Sequence, residues 1–468
     1  MSAVGTMATT SIPSGSGPMW FADPKRPAAR GRLDGPTSVD VLVIGGGYTG
    51  LWTAIRIAKE RPGAKILLVD AERVGGAASG RNGGFVSSSI THGLANGLRH
   101  WPKEIDQLER LGRENLDGMQ RDLEEFGVDC SFERVGKIAV AVHPHQVEEL
   151  RAGVETAARH GKTTHFLSRD EVRARVDSPT YLAGVFDPTG NALVNPARLA
   201  WGLADTAERL GVTIAEHTPV RSIQDRGAVV EAVTDAGTIR AASVVLATNA
   251  FPALLKRLSL YTVPVYDYAL GTAPLTPEQL ASIGWSGREG LTDAGNEFHY
   301  YRLSDDNRIL WGGYDAVYHY GSRIAPELDE RPKTFELLAE QFFETFPQLS
   351  GLGIDFAWGG VIDTCTRFSP FFGTALGGKV AYAMGFTGLG VGSTRFAADI
   401  VADLLAGRDS ELTRLKMVRS KPIPWPPEPL RAFGIEVTKK SLSASDHNGG
   451  KRNLWLKALD AAGVGFDS

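Results

Sequence analysis

The sequence predicts an α/β protein: a Rossmann-type dinucleotide-binding domain interleaved with an α+β second domain built on a largely antiparallel sheet. Three observations carry this. A hydrophobic strand runs into a glycine-rich turn and a helix at residues 40–50. A buried-looking strand at 243–248 returns to the same sheet much later in the chain. Between and after these lie strand-like segments enriched in aromatic residues.

The first element is the strand Asp40-Val41-Leu42-Val43-Ile44, followed by Gly45-Gly46-Gly47-Tyr48-Thr49-Gly50. Gly45 permits the tight turn, Gly47 lets backbone approach a pyrophosphate, and Gly50 allows close helix–strand packing. A diphosphate is thereby placed at the helix N-terminus, beside Tyr48 and Thr49. Residues 51–59 continue the helix and 65–69 form the second strand. Asp70 ends that strand 20 residues after Gly50, where an acid accepts the hydroxyls of an adenosine ribose. Next comes Gly75-Gly76-Ala77-Ala78-Ser79-Gly80-Arg81-Asn82-Gly83-Gly84, whose glycine density lets backbone amides approach a flat ring system.

Residues 196–210 read as a helix and 212–216 as a short strand, with alternating β segments reaching 239. Segments 132–142, 181–187, 261–273, 298–303 and 309–314 are assigned to the second sheet, with helices at 104–125, 144–160 and 331–346 packing on it. A strand at 379–384, a glycine turn at 385–392 and a helix at 394–406 follow. The expected boundaries are a loose N-terminal arm, 1–37; a discontinuous nucleotide-binding domain, 38–100, 195–260 and 355–410; a substrate domain, 101–194 and 261–354; and a proline-rich extension, 411–468. That extension is rigid around 422–429 and carries a short amphipathic helix at 451–460.

Composition narrows the function. The 468 residues, 43% hydrophobic and 22% charged, suit a globular protein of two or so domains that can bury an active site. A net charge of −4, with both signs spread along the chain, gives no nucleic-acid-binding surface and points to small-molecule partners. Two cysteines, Cys130 and Cys365, provide neither a disulfide framework nor a metal-ligand spacing, which fits a reducing cytoplasm. There is no apolar run of about 18 residues to span a membrane, and residues 1–37 lack the pattern of a signal peptide.

Taken in order, the 45–50 turn, Asp70, the 78–84 block, Leu246-Ala247-Thr248-Asn249-Ala250 and Gly385-Phe386-Thr387-Gly388-Leu389-Gly390-Val391 resemble the flavin-dependent amine and amino-acid oxidoreductases of the D-amino-acid oxidase superfamily. The likeness spans roughly residues 38–410 and is greatest to the branch of glycine oxidase, sarcosine oxidase and γ-glutamylputrescine oxidase. The resemblance implies FAD. Gly45, Gly47, Tyr48, Thr49, Gly50 and Asp70 would hold its adenine half, with Val220 against the adenine. Ala78, Ser79, Arg81, Asn82, Gly83 and Gly84 would wrap the isoalloxazine, and Thr248 joins the cofactor set. Gly385, Thr387, Gly388, Leu389 and Gly390 would set a helix N-terminus beside the flavin's N1–C2 edge. The flavin is expected to be non-covalent; Cys365 is where a covalent link would form, against the reading of a buried inert thiol.

The implied reaction is oxidation of the C–N bond of a primary or secondary amine bearing an acidic group, with electrons passed to oxygen or, alternatively, to a quinone or carrier protein. In Phe298-His299-Tyr300-Tyr301-Arg302, alternation turns Tyr300 and Arg302 to one face and Tyr301 to the other. Arg302 is the candidate anchor for the substrate acid, as opposed to a strand-edge arginine paired with Asp305 or Asp306. Tyr300 joins it as a candidate catalytic residue. His92 is a candidate pocket base, set against a histidine that only satisfies its loop. A nicotinamide dehydrogenase leaves the 79–84 block and the C-terminal glycine turn unexplained. A non-catalytic flavin-binding module stays open, and even charge counts against an RNA-modifying relative. The tail, with Trp425 and Trp455, is free to dock on its own subunit or on a neighbour.

Overall fold

In the computed structural model, which describes residues 12–313 and 315–464, the strand Thr37–Ile44 lies at the centre of an eight-stranded sheet. It pairs in parallel with Gly237–Leu246 on one side and Ile66–Val69 on the other. The order runs Phe371–Ala375, Val380–Met384, Gly237–Leu246, Thr37–Ile44, Ile66–Val69, Thr213–Ala215, with Val230–Thr234 and Val220–Asp225 added as an antiparallel flap. Both faces are covered over the second half of the central strand, so Val41–Ile44 is continuously hydrophobic rather than alternating. Val41 and Val43 pack with the helices Tyr48–Glu60, Pro196–Arg209 and Gly390–Leu405, whereas Leu42 and Ile44 pack with the flap and with Phe371 and Tyr382.

The second sheet has nine strands. Its order is Val317–Tyr318, Val263–Thr272, Ile309–Gly313, His299–Leu303, Gly290–Asp293, Lys137–Ala141, Ala183–Asp187, His165–Leu167, with Ile354–Thr364 also paired to Val263–Thr272. Every pairing is antiparallel except that of Gly290–Asp293 with Lys137–Ala141. Of the segment expected at 309–314, Tyr314 lies outside the described residues. A short ribbon, Phe85–Ser87 with Asn191–Leu193, joins the two halves.

Four expectations are corrected. The helix Ile105–Phe126 packs on the nucleotide-binding half, not on the second sheet: Leu108, Leu116, Met119 and Leu123 enter that core, and Asn115 Nδ2 donates to the Gly392 carbonyl at 2.9 Å. Ile354–Thr364 belongs to the second sheet, paired along its length with Val263–Thr272, so the first sheet resumes only at Phe371. The described part of the N-terminal arm is not loose. Met19 and Trp20 are buried with Trp201 and Trp358, because two large apolar side chains in succession gain more from burial than the arm loses in freedom. Residues 1–11 lie outside the described residues. Finally, the extension carries an 18-residue helix, Leu430–His447, ahead of Leu454–Ala461, and it docks on its own chain. Its weak amphipathic pattern hid the first of these helices, since much of its apolar content faces a cavity rather than a core.

Candidate active site

Between the two sheets lies a cavity of about 1190 Å³. Its floor is the nucleotide-binding half. Tyr48 and Thr49 open the helix after the glycine turn and line the cavity. The Tyr48 amide donates to Ser79 Oγ at 3.0 Å, and its hydroxyl donates to the Pro196 carbonyl at 2.8 Å. The turn itself tolerates only glycine: a Cβ on Gly50 would lie 1.9 Å from the Gly45 carbonyl oxygen, and one on Gly45, at φ 114°, would lie 2.3 Å from that of Ala247. Asp70 accepts the Gly46 amide at 2.6 Å, and burial raises its carboxyl above the usual range. Gly45, Gly47, Gly50 and Asp70 thus shape the floor from outside the cavity lining.

The 78–84 block forms one wall. Ala78–Arg81 is a single helical turn, closed by Asn82 Nδ2 donating to the Ala78 and Ser79 carbonyls, each at 2.9 Å. Arg81 pairs with Asp329 and donates to the Gly76 carbonyl at 2.8 Å. A Cβ on Gly83 would lie 2.7 Å from the Tyr300 ring, and one on Gly84 would lie 2.1 Å from the Val194 carbonyl oxygen. Ala78, Ser79, Arg81, Asn82 and Gly83 line the cavity; Gly84 lies behind them.

The facing wall on this side is the C-terminal glycine turn. Asp363, buried at the end of Ile354–Thr364, accepts the Gly385 amide at 2.5 Å and the Phe386 amide at 3.2 Å, while its own carbonyl accepts the Thr387 amide at 3.1 Å. Burial pushes the Asp363 carboxyl up to about 7 against the pull of those amides. Thr387, Gly388, Leu389 and Gly390 then line the cavity at the start of the helix Gly390–Leu405, with Gly385 behind them. Thr394 Oγ1, in the first turns of that helix, is buried without a hydrogen-bond partner among the described residues. The role of Asp363 is not legible in the sequence, where it reads only as the second of two acids, after Asp355, in a largely apolar strand.

His92 lines the cavity at φ 58°, edge-on to Phe368. Burial holds its imidazole down to about 4, with the Thr387 backbone acting in the opposite direction, so it is neutral at pH 7. Tyr300 also lines the cavity and donates to Asp267 Oδ2 at 2.6 Å. Burial pushes Asp267 up to about 6, partly offset by that bond. Sequence reasoning misses Asp267, although a lone acid within Tyr266-Asp267-Tyr268 marks the strand face that meets the cavity.

Other positions fall elsewhere. The expected alternation holds, with Tyr301 in the core of the second sheet, but Arg302 does not reach the cavity. It is fully buried over Trp20, donates to the Val194 carbonyl at 2.7 Å and to the Leu303 carbonyl at 3.1 Å, and is held down to about 10 by burial. The two-residue step from Tyr300 along the same strand face carries it behind Gly84, outside the cavity lining where a substrate anchor was expected. Cys365 is turned into the core, with its thiol 3.2 Å from the Ser369 carbonyl and 3.4 Å from that of Gly385. Val220 and Thr248 lie outside the cavity lining. Val220 begins the flap two residues after Thr218, whose amide donates to the Asp70 carbonyl at 2.7 Å.

The family described as FAD dependent oxidoreductase (DAO) matches residues 40–404. The chain belongs to this family. The γ-glutamylputrescine oxidoreductase of Escherichia coli (strain K12) is 31% identical over 386 residues, covering 80% of this chain and 85% of that protein. A sarcosine oxidase subunit beta from Arthrobacter sp is 24% identical, covering 71% of this chain and 78% of that protein. The crystal structure of glycine oxidase from Geobacillus kaustophilus superposes with a TM-score of 0.69 at 20% identity, covering 82% of this chain and 99% of that one. The residues of this DAO-family chain fit FAD. Gly83, where a Cβ would collide with the Tyr300 ring, keeps backbone bare on the cavity wall, and the buried Thr394 hydroxyl, also on that lining, has no hydrogen-bond partner among the described residues. Among the described residues, no helix is long and apolar enough to cross a membrane.

Proposed function

We propose that this chain oxidises the C–N bond of a primary or secondary amine bearing an acidic group, with FAD as the immediate electron acceptor and oxygen as the final one. One observation carries the reading: the Thr387–Gly390 turn and the Tyr300–Asp267 pair line the same cavity, a cofactor wall and a substrate wall. The names of the relatives, which are oxidoreductases of amines and amino acids, support it. FAD, when bound, supplies a two-electron acceptor for the C–H bond next to nitrogen.

The chain does the rest. Asp267, at about 6, is largely ionised at neutral pH, attracts a substrate ammonium and takes its proton, leaving the free amine that oxidation requires. The Tyr300 hydroxyl and the Tyr268 amide, at 2.6 and 3.0 Å, hold the two carboxylate oxygens in place. Aromatic walls from Phe85, Tyr268, Trp358 and Phe386, with Trp425 of the extension, exclude water and favour the uncharged amine.

The test is to follow flavin absorbance anaerobically as acidic and neutral amines are added to the FAD-loaded protein. Bleaching by an acidic amine, reversed by admitting air, is the expected result. Bleaching reversed by a quinone but not by air would move the final acceptor and leave C–N oxidation standing. A flavin that no amine bleaches would sink the proposal.

A further inference from the structure

Lys137 opens the strand Lys137–Ala141 in the middle of the second sheet, between Gly290–Asp293 and Ala183–Asp187. Alternation divides this strand cleanly. Ile138 and Val140 are buried in the core of the second sheet, while Lys137 and Ala139 line the cavity on the opposite face.

The surroundings leave the ammonium uncommitted. Among the described residues, the Lys137 ammonium makes no hydrogen bond or ion pair with a side chain or carbonyl. Asp187, the acid whose charge it feels, is already engaged. Asp187 accepts the Gly190 amide at 2.8 Å, the Thr189 amide at 3.1 Å and Asn191 Nδ2 at 3.2 Å. Lys162, which also lines the cavity, is taken by Glu109 at 3.0 Å. Burial lowers the Lys137 ammonium below its ordinary range, and its charge is felt at His92, beside the Thr387 turn. A half-buried, unpaired cation on the wall of a largely apolar cavity is a ready partner for an anionic group of a ligand.

We propose that Lys137 is the anion anchor of the cavity and receives the carboxylate, or a chemically similar oxyanion, of the amine substrate. The inference rests on the function proposed above and gives it a specificity residue in place of Arg302. Lys137 and Asp267 bring opposite charges to one cavity from strands with three others between them, so the matching ligand is an extended zwitterion: ammonium towards the Asp267–Tyr300 pair, oxyanion towards Lys137.

The test uses the FAD-loaded full chain, its Lys137→Met and Lys137→Arg variants, and two readouts. The first is perturbation of the flavin spectrum by acetate and succinate, which needs no turnover. The second is KM for an acidic amine and for its uncharged amide. Lys137→Met should weaken carboxylate binding and raise KM for the acidic amine by about 10- to 100-fold, the range of a charge-assisted hydrogen bond, with the amide little changed. Lys137→Arg should recover part of the loss. Methionine keeps the apolar stem while removing the half-buried charge, and a melting curve confirms that the variant is folded. Unchanged carboxylate titrations, equal losses for acid and amide, or a defect confined to reoxidation by oxygen would each overturn the assignment. If no amine is oxidised at all, the carboxylate titrations still decide the role of Lys137.

Discussion

Asp363 holds Gly385 by accepting its backbone amide at 2.5 Å, from a strand of the second sheet to a turn of the first. The bond ties the last strand of the second sheet to the turn that starts the helix Gly390–Leu405.

Replacing Asp363 with Asn puts an amide donor where the Gly385 and Phe386 amides both need acceptors. The expected cost is about 1–3 kcal/mol of stability together with weaker FAD retention. The pH dependence has a definite sign. Burial raises the carboxyl from 3.8 to about 7, so the folded state binds this proton more tightly than the unfolded chain does. Its contribution is fully present below the unfolded value, is lost as pH rises from there through about 7, and corresponds to roughly 4 kcal/mol. Melting temperatures across this window should vary less with pH in Asp363→Asn than in the parent.

Tyr300→Phe removes the hydroxyl that donates to Asp267, and Asp267→Asn removes the proposed proton acceptor. Each should lower kcat/KM by about 10- to 1000-fold. In the parent, kcat/KM should rise with pH through about 6 as Asp267 ionises; in Asp267→Asn that limb should be absent. Steady-state rates over a pH series decide it.

Arg302→Ala should act on the fold rather than on substrate choice. It strips the Val194 carbonyl of a charged donor, which should cost about 1.5–3 kcal/mol. The ratio of KM values for acidic and neutral amines should stay unchanged. A selective rise for the acidic amine would return Arg302 to the site.

Cys365→Ser should leave flavin content unchanged, and acid precipitation of the parent protein should release all its flavin into the supernatant. The thiol is buried behind the Gly385 turn, and burial raises its pKa. Flavin remaining with the pellet in the parent but not in the variant would show a covalent link.

The nucleotide-binding half was legible because its signals are local: Gly45 and Gly50 crowd each other within one turn, and Val41–Ile44 is an unbroken apolar run whatever lies further along the chain. The place of the 78–84 block on the cavity wall follows from equally local signals, its run of glycines directly after the second strand. The wall that carries Tyr300 and Asp267 was not legible. Tyr300 and Arg302 share a strand face, yet only the depth of the Val194 carbonyl and the Trp20 ring separates a cavity residue from a strut, and both come from distant segments. Lys137 and Asp267 acquire meaning only once the two sheets meet. The helix Ile105–Phe126 was misassigned because an amphipathic stripe states that a partner exists, not which one.

The roof over the cavity is made last. Ile423, Trp425, Leu430, Phe433, Leu442 and Trp455 all line it, and Asp446 fixes the Asn296 side chain at 2.6 Å, while both sheets are complete by Met384. Cover and sheets are thus separate in sequence, and fraying of the helices Leu430–His447 and Leu454–Ala461 would open the cavity to water without removing a strand from either sheet.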